Sequence, residues 1–433
     1  MLLSLRIYLY GACLWGLLCL PGAGLGPAAP AILAVIDAMP LLLLAVSLAS
    51  WRAWERTRLS LLQLLGIALL AGLAVANVAV TALSSGSVLD GVKYLAALAR
   101  PLTLLAALGL HRAASDASGE DRAVYRSVLL RDLRVIVVVH FAAAAVQRVF
   151  PGVGERLIPL VSETQSGLAA LAEHDVSGFF PNSIDFSYLT VAAYLVLHAE
   201  RMFVERRRPP LWSTVVFGAF AAASGSDASV VCFAMVVAAG WLAPLPTAKR
   251  RRMAGGAAVL GALVAAATAG IWQGALLLKI DNMMLSRFGL LFVSTPLMIA
   301  EHPGVLLTGL GGDFHVIEAA IKALPQVPLV FTYDDVTQVI NDVFWVGLML
   351  SLGAPLALAY VLSWRSLFNG ACSLPTASRA ISPASVVLAI VIFAGFFNQI
   401  LLVRSFYSAL CVGLFALRYA PRPCGDQVAE VTS

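Results

Sequence analysis

The chain has 433 residues, of which 60% are hydrophobic and only 12% are Asp, Glu, Lys or Arg, with a formal charge of +5. Mean hydropathy is +0.88. A soluble domain carries about 25% charged residues, so this composition excludes a soluble enzyme, a disordered chain, a coiled coil and a disulfide-stapled secreted domain. The apolar runs are continuous rather than alternating, which argues against a β-barrel and leaves a polytopic helical membrane protein, one domain over residues 1–433.

A spanning helix needs about 20 mostly apolar residues. Twelve segments are predicted to span: 7–26, 30–50, 60–83, 92–110, 132–150, 185–203, 211–225, 228–246, 254–278, 339–363, 383–401 and 404–420. The first also has the features of a cleavable leader, with Arg6, an apolar core and small residues at Gly22-Ala23-Gly24. Cleavage there leaves the orientation of the rest unchanged. The seventh and eighth meet at Ser224-Gly225-Ser226-Asp227, where two short spans, or one span and a re-entrant piece, are both open.

The connections alternate in charge. Counted by loop, 21 of the 29 basic residues fall on the side of the two termini, Arg100 lies within a span, and seven lie opposite: Lys93, Arg148, Arg156, Lys279, Arg287, Lys322 and Arg404. Excess Lys and Arg mark the cytoplasmic side, so both termini are expected in the cytoplasm. The sequence pI near 9.0 is then an orientation signal and implies no nucleic acid. The six cysteines show no CxxC pair and no metal-ligand spacing, and no structural disulfide is expected.

Two external connections are long, about 151–184 and 280–338, and the second holds an amphipathic stretch at 316–324. Long ordered loops tend to carry function. The external face is acidic, so a basic residue kept there has no orientation role, which singles out Arg156, Arg287 and Arg404. A guanidinium binds phosphate bidentately and keeps its charge; the bland alternative is an anchor to lipid headgroups. Arg100, beside Pro101, either faces a cavity or pairs with Asp37. His174, Asp175, His302, Asp313, Asp335 and Asp342 are titratable groups in external loops. Each is a candidate general base, although loop carboxylates are usually just solvated. Asp227 is either a functional charge in a span or an ordinary turn residue. No HExxH, DxD or His/Cys cluster occurs, so no metal or other cofactor is expected. Gly309-Leu310-Gly311-Gly312 lacks the Lys-Ser/Thr of a phosphate-binding loop, which leaves a tight backbone turn.

Three stretches carry a family resemblance. His174-Asp175-Val176-Ser177-Gly178-Phe179-Phe180-Pro181-Asn182, leading into the sixth span, is similar to a Gly-aromatic-x-Pro/Asn segment of the O-antigen polymerase/ligase (Wzy–WaaL-like) family. His302-Pro303-Gly304 running to Gly309-Leu310-Gly311 resembles that family's Pro-to-Gly-x-Gly run after the ninth span, and Asn341-Asp342-Val343-Phe344 with Gly347 and Gly353 resembles the entry to its tenth. The resemblance covers roughly residues 140–365 and agrees with twelve spans and a large periplasmic loop at 280–338.

It implies an all-α, GT-C-like, metal-independent glycosyltransferase in the bacterial inner membrane. Its substrates would be undecaprenyl-pyrophosphate-linked oligosaccharides within membrane lipid, with a flippase and a chain-length regulator as partner proteins. External arginines hold the pyrophosphate in that family. Arg156, ten residues before Gly167, fits its Arg-x10-Gly pattern, and Arg287 stands where a second arginine is expected. His174 and Asp175 replace an arginine common before the aromatic segment, and Ser226-Asp227 replaces a Ser-Arg. The ligase histidine at the tenth span is absent, with Ile340-Asn341-Asp342 in its place, which favours a polymerase over a ligase. The expected catalytic residues are Arg287, Arg156, Asp342 and His302. Arg100, His174, Asp175, Asn182 and Asp227 are expected to bind substrate. A polysaccharide flippase is the rival from another class; inverted repeats would mark it, and none is evident.

Overall fold

The structure is a computed structural model. It describes residues 1–21, 23, 25–49, 61–85, 87–118, 122–159, 168, 171–246, 248–249, 252, 287–324, 340, 342–372, 374 and 381–418. These are helical, with no strand among the described residues. The main helices, in chain order, are α1 (Leu2–Leu18), α2 (Ala29–Leu48), α3 (Leu61–Ser85), α4 (Val88–Ser118), α5 (Arg122–Val149), α6 (Ser183–Ala199), α7 (Leu211–Ala223) and α8 (Asp227–Leu242). Then come α9 (Thr295–Glu301), α10 (Phe314–Lys322), α11 (Phe344–Cys372), α12 (Pro383–Ala394) and α13 (Arg404–Leu417). Eleven of the twelve predicted spans thus fall on segments that are wholly or partly helical, and the ninth, 254–278, lies outside the described residues. Among the described residues, three helices are long and apolar enough to cross a membrane, Gly26–Leu48, Val88–Arg112 and Phe344–Cys372. Large apolar side chains such as Leu42, Val75, Leu83, Val138, Trp212 and Leu358 point outward. Water tolerates such a surface poorly and lipid does not penalise it.

α6 sits at the centre. Its residues from Phe186 to Val196 are all buried, as expected for a helix apolar all round. α13 is buried almost as completely and packs against it. The two helices meet at their N-terminal ends, where Ser405 Oγ donates to the Asp185 carbonyl at 3.0 Å. Basic residues gather at the opposite end of the bundle. There Arg6 Nε donates to Asp132 at 2.6 Å, Arg126 pairs with Glu200, and Arg112 and Arg418 both donate to the Gly370 carbonyl.

The segment around residue 225 is a hairpin of two short helices, α7 and α8, turned by Gly225 at φ +70°. Two predicted spans are broken. α12 stops at Ala394, and residues 395–403 make a tight turn before α13. α11 bends at Gly353 (φ 75°), two residues before Pro355. Proline has no N–H to give the Ser351 carbonyl. That carbonyl takes hydrogen bonds instead from Gly311 N at 3.1 Å and from the Asn77 side chain, while Leu310 N donates to Leu350 O at 2.7 Å. The Gly309–Gly312 run is therefore a structural plug for a broken helix. A Cβ on Gly309, itself at φ 69°, would collide with the Ser351 carbonyl.

The described part of the long connection, 287–324, is folded. Asp313 caps α10 by accepting from His315 N at 3.0 Å. Ile317 and Ile321, one turn apart, bury with Leu290, Met298 and Val305 against Val343, Val346 and Leu350 of the α11 entry. This second small core seats the loop on the bundle.

Candidate functional site

Arg287 opens the helical run 287–301, and Asp342 lies just ahead of α11. The second core brings the two segments together, and Arg287 Nη2 donates to Asp342 Oδ2 at 2.7 Å. Their side chains keep 34% and 29% of their surface exposed. Burial pushes the Asp342 carboxyl up, and the Arg287 guanidinium only partly offsets this. Arg287 Nε is buried and has no hydrogen-bond partner among the described residues.

The α11 entry is clamped to the exit of α12. Trp345 Nε1 donates to the Ile392 carbonyl at 2.9 Å, and a Cβ on Gly395 would collide with the Trp345 indole. The turn that follows carries Asn398, whose amide donates to the Tyr188 hydroxyl of α6 at 3.0 Å. Tyr188 is fully buried, packs edge-on against Phe406, and lies within electrostatic reach of Arg287.

A second charged cluster lies at the α13 N-terminus. Arg404 grips Asp37 bidentately, Nε to Oδ1 at 2.7 Å and Nη2 to Oδ2 at 2.8 Å, and Arg100 Nη2 reaches the same Oδ2 at 2.8 Å. Asp185 of α6 is also within electrostatic reach of Arg404. Arg100 thus pairs with Asp37, one of the readings its place in a span allowed.

The 174–182 segment lies across the same end of the bundle as the α6 N-terminus. His174 has a left-handed backbone (φ 66°) and an exposed side chain, and its carbonyl accepts from Arg148. Asp175 is half-buried against Gly225, and burial pushes its carboxyl up with Glu173 adding and Arg148 opposing. Val176 N donates to the Ala223 carbonyl at 3.0 Å. Gln147 Oε1 accepts from Ser177 N at 3.0 Å and from Gly178 N at 2.9 Å. His140 Nδ1 accepts from Phe179 N at 3.3 Å, so its Nε2 carries the proton donated to the Cys13 carbonyl at 2.7 Å. Asn182 caps α6 by accepting from Asp185 N at 2.8 Å.

The remaining candidates stand apart. Arg156 is exposed in the turn Glu155–Leu157, with no contact to Arg287 among the described residues, and Gly167 lies outside them. His302 is exposed at the end of α9 and makes no side-chain contact with Asp342 among the described residues. Asp227 is the exposed first residue of α8, where a negative charge favours the helix dipole. Asp335 lies outside the described residues. No group of three His, Cys, Asp or Glu among the described residues could hold a metal ion. The sequence reading missed Tyr188 and Asn398. Asn398-Gln399 does interrupt an apolar run, which is a signal; Tyr188 in an apolar helix reads as core.

Comparison with protein-family models, with curated proteins and with solved structures found no match.

Proposed function

We propose that this protein is a polymerase of a bacterial surface polysaccharide (O-antigen, capsule or exopolysaccharide). It would transfer glycan from an undecaprenyl-pyrophosphate carrier onto the next lipid-linked repeat unit, at the periplasmic face of the inner membrane. The observation that carries this reading is the Arg287–Asp342 pair: a half-buried cation and a carboxylate of raised proton affinity, on a folded loop over a helical bundle. In the transfer, an acceptor hydroxyl attacks the anomeric carbon of the donor. Asp342 takes the hydroxyl proton, and its raised affinity suits it to that task. The C–O electron pair leaves with the lipid pyrophosphate, where Arg287 holds the developing charge. The family resemblance of residues 140–365 supports the same reading, and the basic end of the bundle suits a cytoplasmic face.

Arg287→Ala and Arg156→Ala, in the native host with membrane levels matched, test this by gel readout of polymer length. Arg287→Ala is expected to reduce chain extension by about 10² or more and leave single repeat units on the outer leaflet. Unchanged long polymer from Arg287→Ala overturns the assignment. Full-length polymer that never reaches lipid A-core points to a ligase, and repeat units stalled on the inner leaflet point to a flippase.

A further inference from the structure

α1 and α2 pack side by side and leave between them a groove of about 580 Å³. Sites for small ligands have volumes of about 300–1,000 Å³. Ile7, Tyr10 and Leu18 line it from α1, and Ile32, Val35 and Met39 from α2. Gly11 also lies on the groove and contributes no side chain to fill it. Ile7, Leu18 and Val35 are exposed, so the groove opens away from the bundle. At about 1.5 Å per residue, Ile7 and Leu18 stand about 16 Å apart along α1. That is half of a hydrocarbon core about 30 Å thick, the depth of the acyl chains of one leaflet. One end of the groove is charged. Tyr10 belongs to its lining, and the Tyr10 hydroxyl donates to Asp132 Oδ1 at 3.2 Å. Arg6, next to Ile7, donates from Nε to Asp132 Oδ2 at 2.6 Å, and Arg131 Nε lies 4.0 Å from Oδ1. Two guanidiniums thus share one buried carboxylate, which leaves a surplus positive charge at this end. The surplus is accessible, because the Arg131 side chain keeps 65% of its surface exposed.

We propose that the α1–α2 groove holds an acyl chain of an anionic phospholipid from the leaflet at the basic end of the bundle, with the lipid phosphate against Arg131 and Arg6. Charge complementarity selects this occupant. An apolar slot one leaflet deep, with a net cation at its basic end, matches an acyl chain hanging from an anionic headgroup. A zwitterionic lipid brings the same chain without the net charge. Arg6 is already balanced by Asp132, so the preference for an anion falls on Arg131. The groove is built from other helices than Arg287 and Asp342, and lipid binding there is separate from the transfer reaction.

The experiment strips the purified full chain of lipid in detergent and titrates it, by native mass spectrometry, with dioleoyl phosphatidylglycerol and separately with dioleoyl phosphatidylcholine. The two lipids have the same tails. The first phosphatidylglycerol is expected to bind about fivefold more tightly than phosphatidylcholine. Arg131→Gln, at an exposed position, should lower phosphatidylglycerol to the phosphatidylcholine level. Gly11→Leu puts a side chain into the groove and should lose binding of both lipids. Its Cβ would meet Ile36 at 3.4 Å, an ordinary contact, and leucine favours helix over glycine, so this variant is expected to fold. Equal binding of the two lipids by the wild-type chain overturns the proposal. So does unchanged phosphatidylglycerol affinity in folded Arg131→Gln or folded Gly11→Leu, which would place the lipid elsewhere on the basic end. A mass of two chains that Gly11→Leu abolishes and lipid leaves unchanged assigns the groove to a second copy, and likewise overturns it.

Discussion

Asp342 is under two opposing influences. Removal from water favours its protonated form, and Arg287 favours the carboxylate; burial is the larger effect, so the carboxyl sits above the ordinary Asp range. A general base must be unprotonated to act. If the chain carries out the proposed transfer, activity should therefore be full at high pH and fall as pH drops through the raised Asp342 value, earlier than a solvated carboxylate would give. A pH profile of polymer extension in membranes checks this, with Asp342→Asn expected to lose most activity and the acid limb with it. An acid limb in the ordinary carboxylate range would take Asp342 out of the base role. The two residues were visible separately in the sequence, one as a cation on an acidic face and one as a loop carboxylate. Their pairing was not, because 55 residues separate them and the intervening loop sets the contact.

Between elements, one carboxylate joins three helices. Asp37 stands on α2 and takes Arg100 from α4 and Arg404 from α13, with side chains 16%, 24% and 26% exposed. A buried ion pair adds little net stability when complete, but removing one partner leaves an uncompensated charge and costs about 3–5 kcal/mol. Asp37→Asn strands two guanidiniums, whereas Arg100→Gln leaves the bidentate Asp37–Arg404 pair intact. Thermal unfolding of detergent-solubilised protein should therefore show a large loss for Asp37→Asn and a clearly smaller one for Arg100→Gln. Equal losses would mean the cluster does not act as a shared tie. Element positions were mostly legible, because a run of about 20 apolar residues declares itself. The breaks were not. Gly353 and Pro355 in α11 read as ordinary residues of a long span, and the bend becomes intelligible only once Leu310, Gly311 and Asn77 are seen to meet the freed carbonyls.

Across the whole molecule, charge and chemistry divide between the two ends. Arg6, Arg126, Arg112 and Arg418 make their contacts at one end. Arg287–Asp342, Asn398–Tyr188 and the 174–182 segment belong to the other, where α6, α11 and α13 begin and α12 ends. The linear count of basic residues already separated these two sides, because orientation is encoded in loop composition alone. What composition could not encode is depth: the turn at 395–403 and the Gly309–Gly312 plug set backbone within the bundle. That is tolerated only where other protein groups satisfy it. If the basic end faces the cytoplasm, His174 lies outside and Gly370 inside. The five described cysteines are all buried, and with Cys424 replaced by Ser, single new cysteines report against a low background. His174→Cys, exposed and on the external segment, should react with a membrane-impermeant maleimide in spheroplasts. Gly370→Cys should react only after the membrane is permeabilised. Labelling of Gly370→Cys without permeabilisation, with His174→Cys protected, would invert the orientation and move Arg287 and Asp342 to the cytoplasmic face, away from any periplasmic donor.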